Sequence, residues 1–93
     1  MILEMSYFSM RLKAHLASSE VDLSVYRLAH LMGVHKDHLY KFTVSGKRPT
    51  DEILEKMASV PEAKLTLDKL RSWRAVDDYG IEALKLAVED YQP

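Results

Sequence analysis

Three hydroxyl residues, Ser24, Thr50 and Thr66, each stand ahead of an apolar stripe with helical spacing, and this arrangement constrains the chain more than any other feature. A hydroxyl in that place accepts from the free N–H groups of a first helical turn. The stripe after Ser24 is Leu28, Ala29 and Met32. After Thr50 it is Ile53, Leu54, Met57 and Ala58, and after Thr66 it is Leu67, Leu70, Trp73 and Val76. Gly33 closes the first segment, because glycine takes the left-handed conformation at a helix end without a Cβ penalty, and Pro61 marks the end of the second. Leu, Met and Ala dominate over Val and Thr. With three glycines and three prolines there are too few turn residues for a small β-sandwich. The pattern predicts an all-α fold.

Two further helices are expected before Thr50. Glu4 to Ala17 carries Tyr7, Phe8, Met10, Leu12 and Leu16 as its apolar groups, and His35 to Thr43 turns Leu39 and Phe42 inward together with Val34. The same spacing leaves Lys36, Asp37, Tyr40 and Lys41 on the outside. Val44 to Pro49 reads as a loop marked by Gly46 and Pro49 and carrying Lys47 and Arg48, and Asp77-Asp78-Tyr79-Gly80 reads as a turn. A final helix carries the stripe Ile81, Leu84, Val88 and Tyr91. The expectation is a compact bundle of five to six short helices. With 93 residues it forms one domain, with a core over 1–62 and a C-terminal extension over 63–93 that packs on it. In so small a domain, a strongly apolar terminal helix suggests pairing with a second copy. Ile81, Leu84, Val88 and Tyr91 are the dimer-interface candidates, together with Trp73, which reads as either a core or an interface anchor.

The formal net charge of −1 conceals an uneven distribution. From Met10 to Arg48, seven Lys and Arg face three carboxylates, a net of +4; from Pro49 to Pro93, six face ten, a net of −4. A basic half and an acidic half are what a protein needs if one face meets phosphates and the other points away. The absence of cysteine excludes disulfides, thiol catalysis and cysteine zinc sites, and it fits a reducing, cytoplasmic setting. No apolar run reaches the ~18 residues of a membrane span, and the N-terminus lacks a signal-peptide pattern, so no membrane association is expected.

The block Leu23 to Leu54, LSVYRLAHLMGVHKDHLYKFTVSGKRPTDEIL, resembles the helix-turn-helix of the lambda-repressor-like family, the Cro/CI or XRE-type regulators. The matching features are Leu23-Ser24 before the second helix, Leu28-Ala29 within it and Gly33-Val34 in the turn. The buried Leu39 and Phe42, the basic loop Gly46 to Pro49 and Leu54 complete the pattern. The resemblance covers about two-thirds of the chain and leaves the C-terminal third outside it. It implies sequence-specific binding of double-stranded DNA by a bacterial or phage regulator, with the third helix in the major groove. It further implies base contacts from Lys36, Asp37, Tyr40 and Lys41, and phosphate contacts from Ser24, His35, His38, Lys47 and Arg48. Where the family often has glutamine this chain has Val25, so the polar contact of that side chain is not expected. His35 stands where serine or threonine commonly caps the third helix, and Thr43 where an acidic residue often follows the aromatic.

His35 and His38 have a spacing that can hold a metal on a helix, with His30 nearby, but no thiol or obvious fourth ligand completes a site, and neither a metal nor a cofactor is expected. There is no glycine-rich phosphate loop and no nucleophile–base pair, so an enzyme is the weakest reading, and Asp77-Asp78 read as turn and cap residues. The rival to a homodimeric repressor is a protein-interaction module, such as an antitoxin, whose acidic half would meet a protein partner.

Overall fold

Among the described residues, each α-helix begins where a side chain can take its first free N–H groups. The computed structural model describes residues 6–80. In α1 (Tyr7–Ala17) the Ser6 hydroxyl accepts from the Ser9 N–H at 3.0 Å, which sets the start of this helix at Tyr7; Glu4, where the sequence placed it, lies outside the described residues. In α2 (Val25–Met32) Ser24 accepts from Arg27, and α3 (Lys36–Thr43) is capped by the ring of His35. In α4 (Asp51–Ala58) Thr50 accepts from Ile53, and in α5 (Leu67–Tyr79) Thr66 accepts from Lys69. A short 3-10 turn, Pro61–Ala63, joins the last two. The described residues therefore form an all-helical arrangement of five α-helices with no strand. The expected sixth helix, with Ile81, Leu84, Val88 and Tyr91, lies outside them.

The helices pack as α1 on α5, α1 on α3, α2 on α3 and α4 on α5. One apolar cluster runs through all of them, from Phe8, Leu12 and Leu16 through Leu28, Leu39 and Leu54 to Leu70 and Trp73. Burying these side chains against each other is the main force holding the short helices together, since eight-residue helices have little stability alone. On α1 the buried apolar positions are Phe8, Leu12 and Leu16, four residues apart. Met10 lies about 200° round the helix from Phe8 and is exposed, contrary to its place among the expected apolar groups.

Of the two roles expected for Trp73, core anchor or interface anchor, its packing is that of a core anchor. Its side chain is only 4% exposed, edge-on to Phe8 (6.2 Å between ring centres) and to His15 (6.0 Å), with the Arg11 guanidinium 5.5 Å from the ring centre. The indole fills the space between α1 and α5 and is an internal anchor. The segment Asp77–Gly80 is likewise not a turn: α5 continues to Tyr79. Aspartate favours turns when its side chain bonds its own backbone. Here Asp77 instead accepts from the Tyr7 and Phe8 N–H groups, both at 2.9 Å, and so caps α1 from the far end of α5.

The C-terminal end of α3 is held with similar care. The Tyr40 carbonyl accepts from the Val44 N–H at 2.9 Å, and the Lys41 carbonyl from the Lys47 N–H at 2.9 Å. The Phe42 carbonyl accepts from the buried Ser9 hydroxyl on α1, which in turn accepts from Ser6. Ser9→Ala leaves that buried carbonyl without its partner. The expected loss is about 1–3 kcal/mol of unfolding free energy by urea titration, with the α3 end more open to amide exchange than the rest of the helix.

Candidate nucleic-acid interface

The α2–α3 pair starts from a local decision at Gly33. This residue has φ +76°, and its N–H and that of Val34 close back onto the α2 carbonyls, Val34 to Ala29 at 3.0 Å. Helix α2 therefore stops after Met32, and three residues later α3 begins. Leu28 and Ala29 on one side and Leu39, Phe42 and Thr43 on the other are buried, with Val34 partly buried between them, so the pair is locked by its inner faces.

That packing leaves Lys36, Asp37, His38, Tyr40 and Lys41 exposed on the outer side of α3. Lys36, Asp37, Tyr40 and Lys41 thus share the accessible part of one short helix. His38 is partly engaged, edge-on to Phe42 with ring centres 5.5 Å apart. His35 has a definite role: its Nδ1 accepts from the Asp37 N–H at 3.1 Å. The Asp37 carboxylate approaches the same nitrogen at 3.6 Å, which would make an ion pair only if that nitrogen carried a proton. The two arrangements exclude each other, and the capping hydrogen bond requires a neutral ring with its proton on Nε2.

Tyr26 is the residue that sequence reasoning missed. It lies exposed on α2, and the Lys36 ammonium stands 5.6 Å from its ring centre, within cation–π range. Tyr26, Ala29, His30, Val34, His35 and Lys36 line an open groove of about 370 Å³ between the two helices. The only local signal was an exposed aromatic on the outer face of α2. That its ring meets Lys36 depends on how the helices cross.

The loop after α3 separates its two cations. Gly46 has φ +73°, and the Lys47 N–H returns to the Lys41 carbonyl, which brings Lys47, exposed, beside the end of α3. Arg48 points elsewhere. Its Nε and Nη2 donate to the two Asp78 carboxylate oxygens, each at 2.9 Å. Arg74, one turn earlier on α5, donates to the Pro49 carbonyl at 3.3 Å and pairs with Asp51 at 2.6 Å. The acidic half of the chain therefore meets the basic half at this loop instead of facing away from it. Ser24, the remaining phosphate-contact candidate, is exposed at the start of α2 with its hydroxyl used as the cap.

These pairs have a pH signature. The hydrogen bond from Arg48 lowers the pKa of Asp78, that from Arg74 lowers the pKa of Asp51, and the Asp78 hydrogen bond raises the pKa of Arg48. A carboxylate with a lowered folded-state pKa contributes stability that is fully present above its unfolded value of about 4 and is lost as pH falls through the lowered value. The urea midpoint is expected to drop between pH 6 and pH 3. The drop should be smaller for an Asp51→Asn/Asp78→Asn double variant, which no longer has those carboxylates to protonate.

The geometry defines a class no finer than a compact all-helical domain with a basic, aromatic outer face on two short helices. Among the described residues no helix is long and apolar enough to cross a membrane. In comparison with known proteins, no family model, no curated protein and no solved structure matches the chain.

Proposed function

We propose that this protein is a helix-turn-helix regulator of the lambda-repressor-like kind. It binds double-stranded DNA through the outer face of α3 and represses transcription as a homodimer on a pseudo-palindromic operator in the cytoplasm. The observation that carries the reading is the division of α3. Leu39, Phe42 and Thr43 are buried, while Lys36, Asp37, Tyr40 and Lys41 are exposed on a helix held against α2 by a tight glycine turn. The major groove is wide enough to admit such a helix. Lysine donates to guanine O6 and N7, and aspartate accepts from cytosine N4. Lys47, beside the end of α3, is placed to neutralise a backbone phosphate, and the N-terminal end of α2 at Ser24 favours another. The homodimer rests on the stripe Ile81, Leu84, Val88 and Tyr91, which lies outside the described residues. Such a dimer would set two α3 helices ~34 Å apart, one turn of DNA.

One observation favours a protein-binding module instead: Arg48, one of only two loop cations, already shares its charge with Asp78 within the chain, although three of its five N–H donors stay free. Selection from random duplex DNA, followed by titration of the selected duplex at several salt concentrations, separates the readings. A regulator enriches a two-half-site palindrome and loses affinity steeply with salt through counterion release. No enrichment, with weak binding even at low salt, rejects the regulator and leaves the protein-binding module.

A further inference from the structure

Asp78 lies on the last turn of α5, well away in sequence from the outer face of α3, yet it fixes the orientation of a loop cation that follows α3. A guanidinium carries five N–H donors in one rigid plane. The contact with Asp78 engages two of them, on Nε and Nη2, and leaves the Nη1 pair and the second Nη2 hydrogen along the other edges. The side chain of Arg48 is 58% exposed and that of Asp78 only 23%, so the carboxylate sits inboard and the guanidinium outboard. Arg74, one turn back on α5, ties the neighbouring Pro49 carbonyl and Asp51, so the loop is held from the same helix face at two points.

We infer that Asp78 is a positioning residue that makes Arg48 a pre-oriented phosphate clamp. The inference rests on the DNA-binding reading above. A phosphate reaches the free edge of Arg48 without displacing Asp78, and the arginine has already given up rotamer freedom in the unbound protein, which lowers the cost of ordering it on DNA. If Asp78 instead occupied Arg48 in place of a phosphate, its removal would tighten binding. The two roles therefore differ in sign.

The test is a double-mutant cycle of Arg48→Ala and Asp78→Asn, in the full chain, on the selected duplex across a salt series. Circular dichroism on each variant reports folding. Although Asp78→Asn removes a negative charge, it is expected to weaken binding about three- to tenfold in the wild-type background and not to weaken it in the Arg48→Ala background. Arg48→Ala should lower the salt slope by about 0.9, the value for one lost phosphate contact. Tighter binding by Asp78→Asn overturns the positioning role, as does equal weakening in both backgrounds, the result of a merely loosened loop. A wild-type protein with no salt-dependent binding overturns both this inference and the DNA-binding reading, and the wild-type curve alone reveals that case.

Discussion

Trp73→Ala is expected to cost about 3–5 kcal/mol, the range for removing a large buried aromatic when the surroundings relax only in part. For a domain whose whole stability falls within roughly 5–15 kcal/mol, that is enough to leave it largely unfolded under mild denaturant. The magnitude follows from position. The indole is 4% exposed and lies between α1 and α5, in edge contact with Phe8 and His15 and under Arg11. Its loss also weakens the seat of Asp77, which caps α1 from the same helix. Trp73 is the one tryptophan, so the variant must be followed by far-ultraviolet circular dichroism rather than fluorescence. Trp73→Phe should keep much of the contact with Phe8 and unfold at a denaturant concentration between those of the other two proteins. A Trp73→Ala protein as stable as wild type but shifted in its oligomeric state would mean that the ring belongs to an interface after all.

The second large effect concerns binding. Lys36→Ala and Lys41→Ala are each expected to weaken binding to the selected duplex about 5- to 150-fold, from the ~1–3 kcal/mol that a good base contact supplies in discrimination. Each should also relax sequence preference at a limited set of positions. Lys47→Ala should behave differently, weakening all sequences alike and lowering the salt slope by about 0.9. The contrast follows from placement: Lys36 and Lys41 lie on α3 itself, and Lys47 lies in the loop at its end. Tyr26→Ala should reduce the effect of Lys36 without adding a new one, because the tyrosine ring holds that ammonium. A lysine variant with unchanged preference, measured by repeating the selection, would remove that residue from the proposed base contacts.

Much of the helical framework was legible because its signals are short-ranged. Ser24, Thr50 and Thr66 do cap α2, α4 and α5, each through a bond to a backbone N–H three residues on, and Gly33 does end α2 in a left-handed conformation. Such bonds need no knowledge of the rest of the fold. The division of α3 was legible for the same reason: a 3.6-residue period turns Leu39 and Phe42 away from Lys36, Asp37, Tyr40 and Lys41 whatever the partner helix is.

Only the tertiary structure decided which distant groups meet. Asp77 and Asp78 look alike in sequence, yet Asp77 caps α1 across 70 positions and Asp78 holds Arg48 across 30. Ser9 reads as a polar residue in an amphipathic helix, and its hydroxyl completes the end of α3 across 33 positions. His15 lies 48 positions from Ala63, and its Nε2 is 2.7 Å from that carbonyl. The charge asymmetry of the chain pointed to separate basic and acidic faces, and docking of α5 on the loop brought the two together at Arg48 and Asp78. The physical reason is range. A cap or a periodic stripe is satisfied within one or two helical turns, so the residues themselves determine it. The partner of a charged or hydroxyl side chain is set by how whole helices pack, and that is fixed only when the core formed by Phe8, Leu12, Leu54, Leu70 and Trp73 closes.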